Sequence, residues 1–185
     1  MATLAEQCVE IYRQKLMIHQ VAEETGLPWH VVYRHLKNAG ILNIETRLVA
    51  GSATDRMGAF YENEFRALVP AAKCENDRKK QFEYDFLVGK AKVEIKSSSL
   101  HHHKNRRYWK FQVYTRSTRM RTADYYVCFG KNPGENPKDY VIFCFPAEFL
   151  RGGSVNVSPD VKSEWTEFRI NPSDLSAMFE EIAND

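Results

Sequence analysis

The sequence predicts an α/β domain, a mixed central sheet flanked by helices, preceded by a small module of three short helices. Apolar residues alternate over 82–88, 91–96 and 108–113 with the period of two of half-buried strands. Two continuous apolar runs, 124–129 and 140–145, have the character of central strands. Apolar residues also recur at helical spacing over 4–12, 56–69 and 175–182. The 185 residues suit one small module and one domain.

Leu4, Cys8, Ile11 and Tyr12 form the first helical stripe, Ile18 to Glu24 a second short helix, Gly26 a turn, and Pro28 to Asn38 a third helix ending at Gly40. The run Val21 to Ile41 resembles the helix-turn-helix family, with Ala22, Gly26, Val31 or Val32, Leu36 and Ile41 at its packing positions. That resemblance implies a DNA-binding module over residues 1–42 whose third helix enters the major groove. Trp29, His30, Tyr33, Arg34 and Lys37 would then point toward bases or phosphates. Trp29 reads equally well as a packing residue, and such units also serve as protein–protein modules. Residues 43–55, which include Gly51-Ser52-Ala53-Thr54, interrupt both periodicities and are expected to be a linker to a second domain at 56–185.

That domain opens with a helix expected from Arg56 to Val69, capped near Thr54 or Asp55 and stopped by Pro70. Ala59, Glu62, Phe65 and Leu68 or Val69 share its apolar stripe, where a carboxylate is unusual. Phe82 to Val88 and Ala91 to Lys96 then form a hairpin about Gly89-Lys90, a two-residue loop with glycine first that suits a type II′ turn. This register pairs Val88 with Ala91 and sets Asp85 opposite Glu94. Phe82, Tyr84, Phe86, Val88, Val93 and Ile95 should share one face, with Asp85, Glu94 and Lys96 on the other. The two carboxylates would stand ~5 Å apart at Cβ, and Lys96 ~7 Å further along its strand. Opposed carboxylates repel unless positive charge lies between them, and a divalent cation such as Mg²⁺, with Mn²⁺ as a substitute, supplies it.

Asp85, eight residues, then Glu94-Ile95-Lys96 resembles the signature of the PD-(D/E)XK nuclease superfamily, with Tyr84 in place of its proline. The resemblance implies a restriction-endonuclease-like core and metal-dependent hydrolysis of phosphodiester bonds in DNA. Asp85 and Glu94 would hold the metal, and Lys96 would orient or deprotonate the attacking water. It further implies a glutamate from the first core helix: Glu62 is the choice and Glu64 the competitor, unless both are solvated helix charges. Gln112 would support the site from the following strand. Restriction and homing enzymes of this superfamily also suggest a homodimer for double-strand cleavage.

His101 to Arg107 lacks an apolar period and is expected to be a polar loop whose Lys104, Arg106 and Arg107 contact phosphate. Its three histidines diverge as consecutive side chains do, which argues against a shared metal. In the following strand Lys110 and Gln112 oppose Trp109, Phe111 and Val113. Residues 66–121 hold 15 basic and 5 acidic side chains, whereas residues 1–65 hold 6 and 8 and residues 122–185 hold 5 and 11. A net +10 around the site favours a polyanion over a neutral small molecule. Arg116, Arg119 and Arg121 belong to that basic segment. A closing helix carrying Leu175, Met178, Phe179 and Ile182 is expected after Pro172, capped near Ser173.

The four cysteines show no CxxC spacing and read as reduced thiols, two of them inside buried-type strands. With no secretory pattern and no 18-residue apolar span, a cytoplasmic, nucleoid-associated setting of prokaryotic or phage type is expected. A DNA-binding regulator without cleavage is the competing class. A nickase, junction resolvase or RNA-directed nuclease shares the same site residues.

Overall fold

Three short helices gather around Cys8, Tyr12, Val21, Val32 and Leu36, each less than 2% exposed, in a computed structural model that describes residues 2–15, 17–74, 84–113 and 123–184. They are α1 (Leu4–Lys15), α2 (Ile18–Thr25) and α3 (Trp29–Asn38). Gly26 ends α2 at φ 67°, a left-handed cap that costs glycine nothing. Val32 rather than Val31 is the buried member of its pair, and Leu4 is 52% exposed although it lies on the expected stripe.

Residues 43–55, expected as a linker, carry the short helix α4 (Ile44–Ala50). The Asn43 side chain caps it by accepting from the Thr46 amide at 2.8 Å, and Tyr12 shares a 2.8 Å hydroxyl hydrogen bond with Thr46. Next, α5 (Ala53–Leu68) begins three residues before the expected Arg56. Its cap is Ser52, whose hydroxyl accepts from the Asp55 amide while Asp55 accepts from the Ser52 amide, both at 3.2 Å.

Asp55 also ties α3 to α5. It accepts from Tyr33 Oη at 3.0 Å, Lys37 Nζ at 2.7 Å and Ser52 Oγ at 2.6 Å. Burial alone would raise its pKa, but the hydrogen bonds from Lys37, Ser52 and Tyr33 override that and lower it from 3.8 to about 2. A lowered carboxylate pKa stabilises the fold above the unfolded value and ceases to do so as pH falls through the folded one. We therefore expect the unfolding free energy of the wild type, from urea titration, to fall between pH 5 and pH 2 by of order 1 kcal/mol after solvent screening, more than that of Asp55→Asn. Equal acid sensitivity of the two proteins would show that Asp55 does not carry this contribution.

The chain divides into two compact units, one built on residues 2–60 and 74 and the other on residues 61–73, 84–113 and 123–184. The strands in chain order are β1 (Lys73–Cys74), β2 (Phe86–Val88), β3 (Ala91–Ser99), β4 (His101–His103), β5 (Arg106–Gln112), β6 (Tyr125–Lys131), β7 (Tyr140–Pro146), β8 (Ser154–Val157) and β9 (Arg169–Ile170), and β2 to β9 belong to the second unit. Among the described residues they form a mixed sheet ordered β1-β2-β3-β6-β7-β9 and a three-stranded sheet ordered β4-β5-β8. β3 and β6 run parallel, while β2 with β3, β6 with β7 and β7 with β9 are antiparallel.

Phe65 of α5 lies against Phe86 and Phe179, with ring centroids 5.1 and 5.4 Å away, so α5 and the C-terminal α6 (Pro172–Asn184) meet over one face of the mixed sheet. The other face packs Tyr126, Cys128, Phe143 and Phe145 against Trp109, Phe111, Val155 and Val157 of the smaller sheet. Gly130 permits this approach, since a Cβ there would sit 2.9 Å from the Trp109 ring.

Three sequence expectations need correction here. His101–Arg107 is not an irregular loop but an antiparallel hairpin, β4 with β5, turning at Lys104, whose φ is 52°. Its polar residues lack a buried row because both faces at its tip are exposed. Tyr84 packs with the Trp109 cluster and not on the Phe86 face, because it precedes β2 and escapes the strand's alternation. α6 is capped by Asn171, whose Oδ1 accepts from the Asp174 amide at 2.9 Å, with Pro172 in the first turn, so Ser173 lies inside the helix. Phe82, Glu83, Arg116, Arg119 and Arg121 lie outside the described residues.

Candidate active site

The Gly89-Lys90 turn fixes the site. Gly89 has φ 57°, and the ladder pairs Val88 with Ala91, Leu87 with Lys92 and Phe86 with Val93. The ladder ends at Phe86, and Asp85 follows directly beside β3, where its charge acts on Glu94. Asp85 stands just before β2, where its amide donates to the Val93 carbonyl at 3.0 Å and its Oδ2 accepts from the Ile95 amide at 2.8 Å. One carboxylate oxygen therefore fixes the Asp85 side chain against β3.

Val93 and Ile95 are buried on one face of β3 and alternate with Glu94 and Lys96 on the other. Lys96 donates to Glu94 Oε1, a short ion pair whose side chains are 28% and 18% exposed. Burial, then the Asp85 charge and to a lesser degree that of Glu62, drives the Glu94 carboxyl well above the ordinary range although Lys96 pulls the other way. Burial pulls the Lys96 ammonium down, but the charge of Glu94, reinforced by Asp85, outweighs it and leaves Lys96 raised. The site thus holds more negative charge than Lys96 alone offsets.

Glu62 is 5% exposed, the most buried acidic side chain among the described residues. Glu64, two positions along α5, instead accepts from Tyr140 Oη at 3.1 Å and lies 3.9 Å from Lys138 Nζ. Of the two, Glu62 is the one whose charge acts on Glu94.

Asp85 and Glu94 offer carboxylate oxygens only, a donor set that suits a hard cation such as Mg²⁺, which takes one or two carboxylates and keeps several waters. Among the described residues no three His, Cys, Asp or Glu side chains converge to enclose a metal. Asp85 and Glu94 are the carboxylates that could hold such an ion, with the Lys96 ammonium in ion pair with Glu94.

The remaining sequence candidates separate by position. Trp29 is 52% exposed and meets His30 edge-on at 5.9 Å, and Arg34 is exposed on the same helix. Tyr33 and Lys37 are held by Asp55. Lys104 and Arg106 are exposed at the hairpin tip, whereas both nitrogens of the Arg107 fork donate to Asp160, a partner 53 residues away that the sequence did not reveal. Gln112 pairs with Ser154 and is exposed on the side opposite the buried Phe111. Its strand register therefore directs it away from the core-facing row. Ser98, which also escaped the sequence reading, accepts from the Lys110 amide at 3.0 Å and joins β3 to β5.

No helix among the described residues is long and apolar enough to cross a membrane. No protein-family profile matches the chain, and no curated protein matches it. Among solved structures, the chain is similar to that of a bacterial homing endonuclease, I-Ssp6803I, at 18% identity and a TM-score of 0.48, over 72% of this chain and 96% of that one.

Proposed function

We propose that the chain is a Mg²⁺-dependent DNA endonuclease of PD-(D/E)XK type, directed to its target by an N-terminal helix-turn-helix over residues 1–42. The observation that supports this reading is the meeting of three side chains on the Gly89 hairpin: Asp85, held by the Ile95 amide, acts on Glu94, which is in ion pair with Lys96 two residues along the same strand. Asp85 and Glu94 would hold the metal, with Glu62 assisting, and such an ion would supply Lewis-acid chemistry toward water and phosphate. Asp85 keeps its orientation through the Ile95 amide. Lys96 presents an ammonium beside the reacting phosphate, where it orients the attacking water and offsets the negative charge that builds up. Lys104 and Arg106 supply sequence-independent attraction for the duplex. Paired sites in a homodimer cut both strands, and a lone site nicks one.

A second reading, a DNA-binding regulator without cleavage, draws on the Lys96–Glu94 ion pair and on the want of a three-carboxylate cluster among the described residues. Titrating Mn²⁺ into cleavage reactions of Glu62→Gln and Glu64→Gln tests the proposed site. Glu62→Gln should need about tenfold more metal, the scale of losing a group that supports a metal site, while Glu64→Gln tracks the wild type. The reverse order would move the helix carboxylate to Glu64. Metal-independent activity in all three proteins would reject the metal mechanism.

A further inference from the structure

We infer that the outer face of the β4-β5-β8 sheet reads base edges in the major groove of duplex DNA, with Arg107 bracing that sheet from behind; this rests on the nuclease reading for its choice of a nucleic-acid partner. The cross-strand pairs divide the hairpin side chains between two faces. His101 pairs with Tyr108 and His103 with Arg106, so these four lie on the face that continues along β5 to Lys110 and Gln112. On β8, Asn156 stands opposite Lys110 and Ser154 opposite Gln112, and both are exposed. The opposite face holds His102 and Arg107 at the tip and the buried Trp109, Phe111, Val155 and Val157 further in.

The outer face is thus a continuous row of hydrogen-bonding side chains, and β4, β5 and β8 contain no acidic residue. An uncharged partner has no need of such a surface, whereas bases flanked by phosphates do. A β-ribbon with strands ~4.8 Å apart fits a B-DNA major groove ~12 Å wide, and the deep, narrow major groove of A-form RNA excludes it. Three ladder pairs span ~10 Å, enough to follow about three base pairs.

The ribbon is firmly joined to the proposed catalytic strand. β3 leads through Leu100 into β4, so His103 lies seven residues beyond Lys96, at most ~23 Å along the chain. Trp109 Nε1 donates to the Lys131 carbonyl at 3.0 Å, and Ser98 Oγ accepts from the Lys110 amide. Groove binding and cleavage position are therefore coupled through one strand. Arg107, whose guanidinium is committed to Asp160, holds the back of the ribbon and touches no base.

The test reads binding in EDTA, so it does not depend on catalysis. Wild type and variants are titrated with a fluorescent random-sequence DNA duplex across a range of salt, and each protein selects sites from a randomised duplex pool. Arg106→Ala with Lys110→Ala should weaken binding at least tenfold and flatten the log–log salt slope by about one for each phosphate that is no longer neutralised. Gln112→Ala with Asn156→Ala should keep the random-duplex affinity and relax selection at individual positions by about tenfold each. Arg107→Ala and Asp160→Ala should behave alike. Outer-face variants that bind and select like wild type would overturn the inference even if cleavage is intact. Opposite effects of Arg107→Ala and Asp160→Ala would make Arg107 a direct DNA ligand and overturn its bracing role. Loss of binding and selection in the outer-face variants of a protein that never cleaves would uphold the inference and reject the nuclease reading.

Discussion

Replacing Lys96 with alanine is expected to slow Mg²⁺-dependent cleavage of duplex DNA by about 10²- to 10³-fold and to leave duplex affinity in EDTA unchanged. Lys96 is the sole basic side chain in ion pair with Glu94 among the described residues, and it shares its strand with the carboxylate it neutralises. On the proposed mechanism, an ammonium at that position would stabilise charge that develops only as the phosphate is attacked, so its removal would act on the rate and not on binding. Single-turnover cleavage alongside equilibrium binding separates the two. A fully active Lys96→Ala protein would take Lys96 out of the chemistry, and a parallel loss of binding would make it an electrostatic anchor.

Phe65→Ala should destabilise the fold by about 3–5 kcal/mol, a large share of the ~5–15 kcal/mol typical of a domain. Phe65 is fully buried where α5, β2 and α6 meet, and its ring packs on Phe86 and Phe179. Truncation removes both aromatic pairs and leaves a cavity that three separate elements cannot easily close. Since Phe65 lies one helical turn beyond Glu62 and packs on the strand next to Asp85, cleavage should fall with the folded fraction. Urea unfolding measures the first effect, and activity corrected for folded protein measures the second. A loss under 1 kcal/mol would mean that α5 is not seated on the sheet through this residue.

The hairpin at Gly89 was legible in the sequence because a two-residue turn fixes register locally, and Val88 stands opposite Ala91 as the turn requires. β6 and β7 were legible for another reason, since runs as apolar as 125–129 and 141–145 belong in the interior of a sheet. Long-range features were not. α4 depends on Asn43 and on the Tyr12–Thr46 hydrogen bond, while its own sequence, next to Gly51 and Ser52, reads as a break. The β4–β5 tip gave no strand signal because alternation reports a buried face, and its pairs are exposed on both sides. Similarly, nothing local in Arg107 indicated Asp160, which the fold brings to it from beyond β8. The candidate site residues on β3, Glu94 and Lys96, were legible to the extent that their placement is strand alternation. Glu62 and Glu64 separated only once α5 had a partner for each face.

The central claim is that Asp85 and Glu94 hold a metal that cleaves DNA. It is tested most directly by incubating supercoiled plasmid with wild type and Asp85→Ala, each in Mg²⁺ and in EDTA. Nicked or linear product is expected from wild type in Mg²⁺ and none from the other three reactions. Cleavage by Asp85→Ala at the wild-type rate, or by wild type in EDTA, would contradict it.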